Sequence, residues 1–193
     1  GEHGRCMHST CNRDFVGSNP TPGFPLMAPR LLVVIGLPGV GKTTVARELA
    51  DRTDARLIRT DVVRTDCFDD PAYTAAERRT VYDETFDRAR DSLDGGGSVV
   101  LDGTFRKRTD RERAVGVAAA TDSVLGVVAV ECEPSVAESR IEARENDESD
   151  ADVAVYREYR DRFEPVRLPH ATVDNTGTAA ETRSQVVALL DDA

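Results

Sequence analysis

The chain has few aromatic residues and almost no lysine. Its 193 residues include no Trp, and Lys occurs only twice, so Arg supplies nearly all of the 25 basic side chains. No apolar run approaches the roughly 18 residues that a membrane-spanning helix needs. The N-terminus also lacks the basic and apolar segments of a secretory signal peptide. We therefore expect no membrane partner and predict a cytoplasmic protein.

Cysteine is too sparse to build a disulfide framework. Only four Cys occur in the whole chain, and Cys67 and Cys132 are isolated within its body. No pair has the CxxC spacing of redox or structural zinc sites. Neither disulfide bonds nor a redox motif is therefore expected in the folded part.

The first 26 residues share no pattern with the rest of the chain. They lack periodicity, and residues 17–20 can be encoded by the T-arm sequence shared by most tRNA genes. Met27 immediately precedes the first apolar strand. We interpret residues 1–26 as a disordered or non-native leader and residues 27–193 as the folded domain. The alternative is a small metal clip formed by His3, Cys6, His8 and Cys11.

The net charge of −10 comes from 35 Asp and Glu side chains against 25 Lys and Arg, and Asp outnumbers Glu by 21 to 14. Such an Asp-rich, Lys-poor surface is typical of halophilic proteins, in which salt screens the self-repulsion. An Arg and Asp bias from a GC-rich genome is the alternative. Long nucleic acids are disfavoured as partners, because Lys and Arg contacts to phosphates drive their binding. A nucleic acid end remains open, since an acidic shell can surround a local basic groove.

From residue 31 onward, short apolar strands alternate with amphipathic helices. Strands that are apolar on both faces and alternate with helices predict a parallel sheet covered on both sides. We therefore predict one α/β domain, a three-layer sandwich with a mainly parallel five-stranded sheet. The predicted strands are 31–35, 56–60, 98–101, 124–132 and 171–174, and the predicted helices are 43–52, 75–93, 109–120, 134–144, 153–163 and 179–190.

A complete phosphate-binding motif lies between the first strand and the first helix. Residues 36–43, GLPGVGKT, match G-x-x-x-x-G-K-[ST] in full. Backbone N–H groups of such a loop surround nucleotide phosphates, at the positive end of the following helix. Lys42 is expected to reach the β and γ phosphates, and the Thr43 hydroxyl to ligate Mg²⁺. The predicted cofactors are ATP and Mg²⁺, and the predicted nucleotide-binding residues are Gly36, Leu37, Pro38, Gly39, Val40, Gly41, Lys42, Thr43 and Thr44.

Acidic residues mark the ends of two further strands. Ligands of parallel sheets bind at the carboxyl ends of the strands. Asp102 ends an apolar strand and suits a magnesium site, the alternative being an Asp that caps the following loop. In the stretch RTDVVR, Asp61 could accept the proton of an acceptor hydroxyl, while Arg64 holds the acceptor. The alternative there is an N-cap Asp with an incidental ion pair three residues on.

Two arginines precede an acidic segment at 145–150. Arg140 and Arg144 are four residues apart and would share one helical face. Guanidinium groups beside a mobile segment can close over a transferring phosphoryl group. A solvated charged face is the ordinary alternative.

The order of these motifs resembles the small P-loop kinases. Relatives of this type include the polynucleotide 5′-hydroxyl kinase domain, zeta-type toxin kinases, chloramphenicol phosphotransferase and gluconate kinase. The chain most resembles the predicted ATP-binding kinase domain that is often fused to an aminoglycoside-phosphotransferase-like domain. There the stretches GxPGSGKS, RSDxxR, VVxDAxF and SDA recur; here they read GLPGVGKT, RTDVVR, VVLDGTF and SDADV. Gly103 replaces the commoner Ala, and Val40 replaces Ser.

The resemblance implies a P-loop NTPase fold with a small helical lid at about 140–160. It implies that Asp61 activates or orients the acceptor hydroxyl and that the lid arginines stabilise the transition state. It also implies that Asn175, in the loop after the last strand, lies near the adenine. The implied catalytic residues are Lys42, Asp61, Arg140 and Arg144; the substrate-binding residues are Arg64, Asp102, Thr104 and Arg106; the metal-binding residues are Thr43 and Asp102.

Together these features predict an ATP-dependent kinase, monomeric or dimeric, that phosphorylates a hydroxyl of a small-molecule acceptor. The alternatives are a polynucleotide 5′-hydroxyl kinase, a nucleoside or nucleotide kinase, and a nucleotide-binding switch or ATPase. A nucleoside monophosphate kinase is disfavoured, because acceptor phosphates usually need more than one Arg near the second strand. The sequence places only Arg64, and with it Arg59, in that region.

Overall fold

A computed structural model describes residues 29–143 and 153–191. The predicted leader and residues 144–152 of the predicted lid, which include Arg144, lie outside the described residues. The strands are β1 (Arg30–Ile35), β2 (Arg56–Arg59), β3 (Val99–Asp102), β4 (Val124–Glu131) and β5 (Ala171–Asp174). The helices are α1 (Lys42–Thr53), α2 (Thr60–Cys67), α3 (Ala75–Asp94), α4 (Arg108–Ala120), α5 (Pro134–Glu142), α6 (Val153–Asp161) and α7 (Ala179–Asp191).

The five strands form one parallel sheet in the order β2-β3-β1-β4-β5. The central strand β1 is buried along its whole length. Its alternate side chains enter two different hydrophobic clusters: Leu31, Val33 and Ile35 pack on one face, and Leu32 and Val34 on the other. This division requires a layer of helices on each face, and it confirms the predicted three-layer α/β sandwich.

The two helical layers differ in which helices supply them. Phe86 of α3 and Ala114 of α4 belong to the cluster on one face, whereas Leu49 of α1 and Val186 of α7 belong to the cluster on the other. Each helix contributes a buried stripe of apolar side chains at helical spacing, as the sequence predicts. In the described parts of the chain, no helix is long and apolar enough to cross a membrane.

The region after β2 differs from the sequence prediction by a few residues. The predicted strand 56–60 ends at Arg59, because pairing with β3 ends where Arg59 lies opposite Asp102. Thr60 instead begins α2, so Asp61 lies in the first turn of a helix. The structure therefore has a short helix here that is not among the predicted helices. Asp102, predicted to close the strand 98–101, is the last residue of β3.

The carboxyl ends of the strands converge on one edge of the sheet, because all five strands are parallel. The glycine loop follows β1, α2 follows β2, Asp102 ends β3 and Asn175 follows β5. Two backbone hydrogen bonds join the loops after β1 and β3: Gly36 N–H donates to Thr104 O at 3.4 Å, and Gly103 N–H donates to Val34 O at 3.3 Å. The motifs that are remote in sequence are therefore neighbours in the fold.

Candidate active site

The glycine loop adopts a backbone that only glycine accommodates easily. Gly39 and Gly41 have φ of 80° and 88°, in the left-handed region. A Cβ on Gly39 would lie 2.7 Å from the carbonyl oxygen of Ala137, so α5 packs directly against the loop. The Lys42 ammonium reaches across the same loop and donates to Leu37 O at 2.8 Å. The loop, the start of α1 and Lys42 thus form a compact group suited to phosphate binding.

Two oxygen ligands meet beside this loop. The Thr43 hydroxyl donates to Asp102 Oδ2 at 2.7 Å, and Asp102 is only 4% exposed. The guanidinium Nε of Arg59 lies 3.7 Å from the same carboxylate oxygen. A hydroxyl and a carboxylate are hard ligands of the kind that Mg²⁺ prefers, and a nucleotide-bound Mg²⁺ takes its remaining ligands from phosphates and water. Within the described residues no group of three or more His, Cys, Asp or Glu side chains could hold a metal ion. A nucleotide-bound Mg²⁺ needs fewer protein ligands, and Thr43 with Asp102 can supply two.

Asp61 lies in the first turn of α2, close to both of these groups. Burial raises the pKa of its carboxyl above the ordinary value for Asp. The positive charge of Lys42 opposes this rise in pKa, and the negative charge of Asp102 adds to it. A carboxylate that is poorly solvated and close to the phosphate-binding lysine is placed to accept a proton near a γ-phosphate.

A cavity of about 530 Å³ opens beside Asp61. Its walls come from the glycine loop, α2, the start of α3, the loop after β3, and α6 with the residue that follows it. A cavity of this size suits a metabolite-sized ligand. Besides Pro38 of the glycine loop, four predicted site residues line it together: Asp61, Arg64, Thr104 and Arg106. Asp102, predicted for both metal and substrate, lies outside this lining and contacts Thr43 instead.

The loop that carries Thr104 and Arg106 is anchored by an aromatic cluster. Phe105 is fully buried and has φ of 43°, an unusual conformation for a bulky residue. Its N–H donates to the Tyr82 hydroxyl at 3.0 Å, and the two rings pack edge to face. Burial raises the pKa of Tyr82 to about 12, so this hydroxyl stays protonated. Core packing therefore holds the backbone between two cavity-lining side chains.

The cavity contains basic residues that the sequence analysis did not assign to the site. Arg78, Lys107 and Arg162 line it in addition to Arg64 and Arg106. The sequence places only Arg64 and Arg59 near the second strand; the cavity lining adds three further cations, while Arg59 lies beside Asp102. The missed residues come from α3, the loop after β3 and the end of α6. No local motif marks them, although the spacing of Tyr159 and Arg162 would place both on one helical face.

Of the two predicted lid arginines, the structure describes only Arg140. Arg140 lies in the last turn of α5, with Nη1 about 3.8 Å from the position that a Cβ on Gly41 would take. That nitrogen is buried and has no hydrogen-bond partner in the described structure. Arg140 therefore adjoins the phosphate-binding loop and lies outside the cavity lining. Arg144 lies outside the described residues.

Asn175 connects the last strand to the glycine loop. Its side-chain N–H donates to Val40 O at 2.8 Å, and its carbonyl oxygen accepts from the Thr182 hydroxyl at 2.6 Å. Both Asn175 and Thr182 are buried. A Thr in the first turn of an amphipathic helix gives no sequence signal of such a role. Through these two hydrogen bonds, Asn175 and Thr182 hold the glycine loop at Val40. Contact between Asn175 and adenine stays a prediction.

Comparisons with known proteins identify a matching family and distant relatives. The family model AAA_33, described as an AAA domain, matches residues 31–166. An uncharacterized protein of Mycobacterium tuberculosis is 37% identical over 134 residues, which are 63% of this chain and 27% of that protein. The chain thus spans about a quarter of the length of the curated relatives that it matches.

Solved structures share the fold at low sequence identity. A sugar kinase from Janibacter sp. superposes with a TM-score of 0.66 at 19% identity, covering 86% of this chain and 96% of that one. The Mycobacterium tuberculosis APS kinase, solved in complex with AMPPNP and APS, gives a TM-score of 0.66 at 17% identity, covering 88% and 99%. The chain therefore belongs to the AAA_33 family of AAA domains and has the fold of the small P-loop kinases.

Proposed function

We propose that the protein is a kinase that transfers the γ-phosphoryl group of ATP to a hydroxyl of a small-molecule acceptor. The observation that carries the proposal is the cavity of about 530 Å³ beside the glycine loop, with the Asp61 carboxyl in its wall. A plain ATPase or switch needs no such compartment, because water is its acceptor. The low exposure of Asp61 suits a general base for an organic hydroxyl.

The reaction asks for positioning and charge neutralisation more than for covalent chemistry. The loop N–H groups and Lys42 hold the β and γ phosphates, and Thr43 with Asp102 would hold Mg²⁺, which neutralises charge on the phosphate oxygens. Asp61 accepts the acceptor proton as the acceptor oxygen bonds to the γ-phosphorus. The bond from that phosphorus to the β–γ bridging oxygen breaks, and ADP leaves. Arg140, beside the loop, is placed to stabilise the negative charge.

A direct test is a phosphoryl-transfer screen with γ-labelled ATP and Mg²⁺ against sugars, sugar acids, sugar phosphates, nucleosides, nucleotides and 5′-hydroxyl oligonucleotides. It is run in molar KCl, because the acidic composition predicts a salt-requiring fold. A kinase transfers label to one class of compound at a rate well above background hydrolysis. Slow hydrolysis that no compound accelerates would contradict the proposal and favour the switch or ATPase. Label on oligonucleotides alone would favour the polynucleotide 5′-hydroxyl kinase.

A further inference from the structure

The cavity beside Asp61 is basic, although the protein as a whole is strongly acidic. Five cationic side chains line it, against the carboxylates of Asp61 and Glu158, while the whole chain carries a net charge of −10. Cationic side chains brought together against that background repel one another unless anions lie between them. The cationic residues of the lining are Arg64, Arg78, Arg106, Lys107 and Arg162.

Two of these cations are neutralised within the protein. Arg78 forms an ion pair with Asp110 of α4, and its guanidinium also lies over the Tyr82 ring, 4.9 Å from the centroid. Arg162 donates to Glu158 Oε1 at 2.7 Å. The positive charges of these two arginines are therefore balanced within the protein. An unbalanced positive charge in the cavity must come from the other cations.

Arg106 has no such partner. Its guanidinium lies over the Tyr159 ring at 4.7 Å, and no carboxylate in the described part of the chain pairs with it. The Nε atom is buried and makes no hydrogen bond among the described residues. A buried N–H without an acceptor costs about 1–3 kcal/mol. Stacking on a tyrosine fixes the guanidinium plane and leaves its edge available for the two oxygens of an anion.

Arg64, which also lines the cavity, is held against a tyrosine in the same way, with the Glu77 carboxylate at ion-pair distance. Its guanidinium lies over the Tyr73 ring at 4.7 Å. Its Nη1 lies 3.9 Å from Glu77 Oε2, too far for a hydrogen bond, and both atoms are buried without hydrogen-bond partners in the described structure. Arg64 also follows Asp61 by three residues on α2, so the two side chains lie on neighbouring positions of one helical face.

From these contacts we propose that the acceptor is a small anionic metabolite, with a phosphate or carboxylate group bound by Arg106 and Arg64 and a hydroxyl presented to Asp61. This inference rests on the kinase function proposed above and names its substrate class. A neutral polyol offers hydroxyl oxygens but no negative charge, so it would leave the charge of Arg106 uncompensated and that of Arg64 balanced only by Glu77 at 3.9 Å. An anion supplies the missing acceptors and compensates the positive charge.

The test measures binding separately from catalysis. Wild-type protein is saturated with Mg²⁺ and AMPPNP, so that the glycine loop is filled, and is then titrated by calorimetry with compounds matched except for charge. The pairs are glucose with gluconate, glucose with glucose 6-phosphate, glycerol with glycerol 3-phosphate, and uridine with its 5′-monophosphate. We expect one anionic member to bind at least about 10-fold more tightly than its neutral partner, about 1.4 kcal/mol.

Three variants assign that preference to the cavity. R106Q should lower the affinity for the preferred anion by about 10-fold or more, and R106K should lower it less, because lysine keeps the charge without the planar fork. The control R79Q removes one positive charge from an exposed position of α3 outside the cavity, and it should leave anion affinity unchanged. Melting curves show whether each variant is folded.

Each outcome decides the inference. Equal binding of charged and neutral partners, absence of binding by every anion, or an anion affinity that R106Q leaves intact would overturn it. The kinase proposal fails by a different result, namely tight anion binding without transfer of labelled phosphoryl to the bound compound. Transfer to a neutral member alone would overturn the substrate class and leave the kinase function standing. The phosphate and carboxylate arms of the panel identify which anion the cavity selects.

Discussion

Thr60 and Gly103 meet in the wall of the cavity, and both differ from the pattern of the kinases that this chain resembles. A Cβ on Gly103 would lie 2.8 Å from Thr60 Cγ2 and 2.9 Å from the Phe105 ring. The related pattern has Ser before the Asp that matches Asp61 and Ala after the Asp that matches Asp102, whereas this chain has Thr60 and Gly103. The methyl group of Thr60 therefore occupies the space that an alanine at position 103 would need, so the two differences compensate each other.

This compensation predicts a non-additive pair of substitutions. G103A alone should cost about 1–3 kcal/mol, because the new methyl overlaps buried atoms that cannot all move. T60S alone should cost about 0.8 kcal/mol for the lost methyl group. The double variant T60S/G103A should lose less stability than G103A alone. Denaturant unfolding of all four proteins in one high-salt buffer gives the coupling energy. Strictly additive losses would contradict the contact.

The raised pKa of Asp61 should make the stability of the protein depend on pH. Burial raises the folded-state pKa above the unfolded value, so the folded state binds more protons and loses stability as pH rises between the two values. D61N lacks this titration. The stability of D61N relative to wild type should therefore rise as pH increases from about 4 and level off above the folded-state pKa.

Unfolding free energies of both proteins, measured from pH 4 to pH 8 at constant KCl, test this sign. A difference between the proteins that stays constant over the whole range would show that the carboxyl has an ordinary pKa. A difference that moves in the opposite direction would mean that the charged form is stabilised in the fold, as in a strong ion pair.

At the scale of single elements, the strand-and-helix pattern from β1 onward was readable in the sequence because apolar side chains repeat with clear periods. Helix α2 is absent from the predicted elements, because eight residues carry too few periodic positions to separate a helix from a loop. The glycine loop was predictable residue by residue, because its function needs a contiguous motif. Arg78 and Arg162 were not, because they reach the cavity only through the packing of α3 and the end of α6 on the rest of the site.

The contact between α7 and the glycine loop is an element-scale feature with a test of its own. T182V removes the hydroxyl that donates to Asn175, which holds the carbonyl of Val40. We expect a loss of about 1–3 kcal/mol in stability, because a buried carbonyl oxygen loses its donor, and weaker ATP binding from a looser loop. T182S keeps the hydroxyl and should restore ATP affinity.

The matched control lies on the same helix. Ser184 is exposed and its hydroxyl donates only within α7, to Ala180 O at 3.0 Å, so S184A should leave ATP affinity unchanged. Calorimetric titration with Mg-ATP analogue compares the three variants with wild type. If T182V binds the nucleotide as tightly as S184A, the Asn175 contact does not position the loop.

At the scale of the whole molecule, the composition gives the net charge, and the structure shows where the charges lie. The chain is acidic overall, yet the cavity lining is basic, and only the fold shows this separation. Exposed Arg–carboxylate pairs such as Arg108–Glu112 and Arg162–Glu158 contribute at most about 1 kcal/mol each. Net repulsion should therefore outweigh them at low salt.

Raising KCl from about 0.1 M to 2 M should then raise the melting temperature, because the screening length falls towards about 3 Å. For a domain of this size each 1 kcal/mol of relieved repulsion corresponds to about 2–4 °C. A parallel series with sucrose in place of KCl separates charge screening from general stabilisation. A melting temperature that stays flat or falls in KCl would support compositional bias in place of adaptation to salt.

The central claim is that Asp61 serves an acceptor hydroxyl, and D61N tests it most directly. Once an acceptor has been found, ATP affinity, phosphoryl transfer and background ATP hydrolysis are measured on wild type and D61N in the same high-salt buffer. Asn keeps the shape of the side chain and cannot accept the proton, while the glycine loop, Lys42 and Thr43 remain intact. We predict unchanged ATP affinity, transfer lower by roughly 10²–10⁴, and a much smaller change in hydrolysis. Loss of ATP binding, or equal losses of transfer and hydrolysis, would contradict the account and make Asp61 a metal-binding or structural residue.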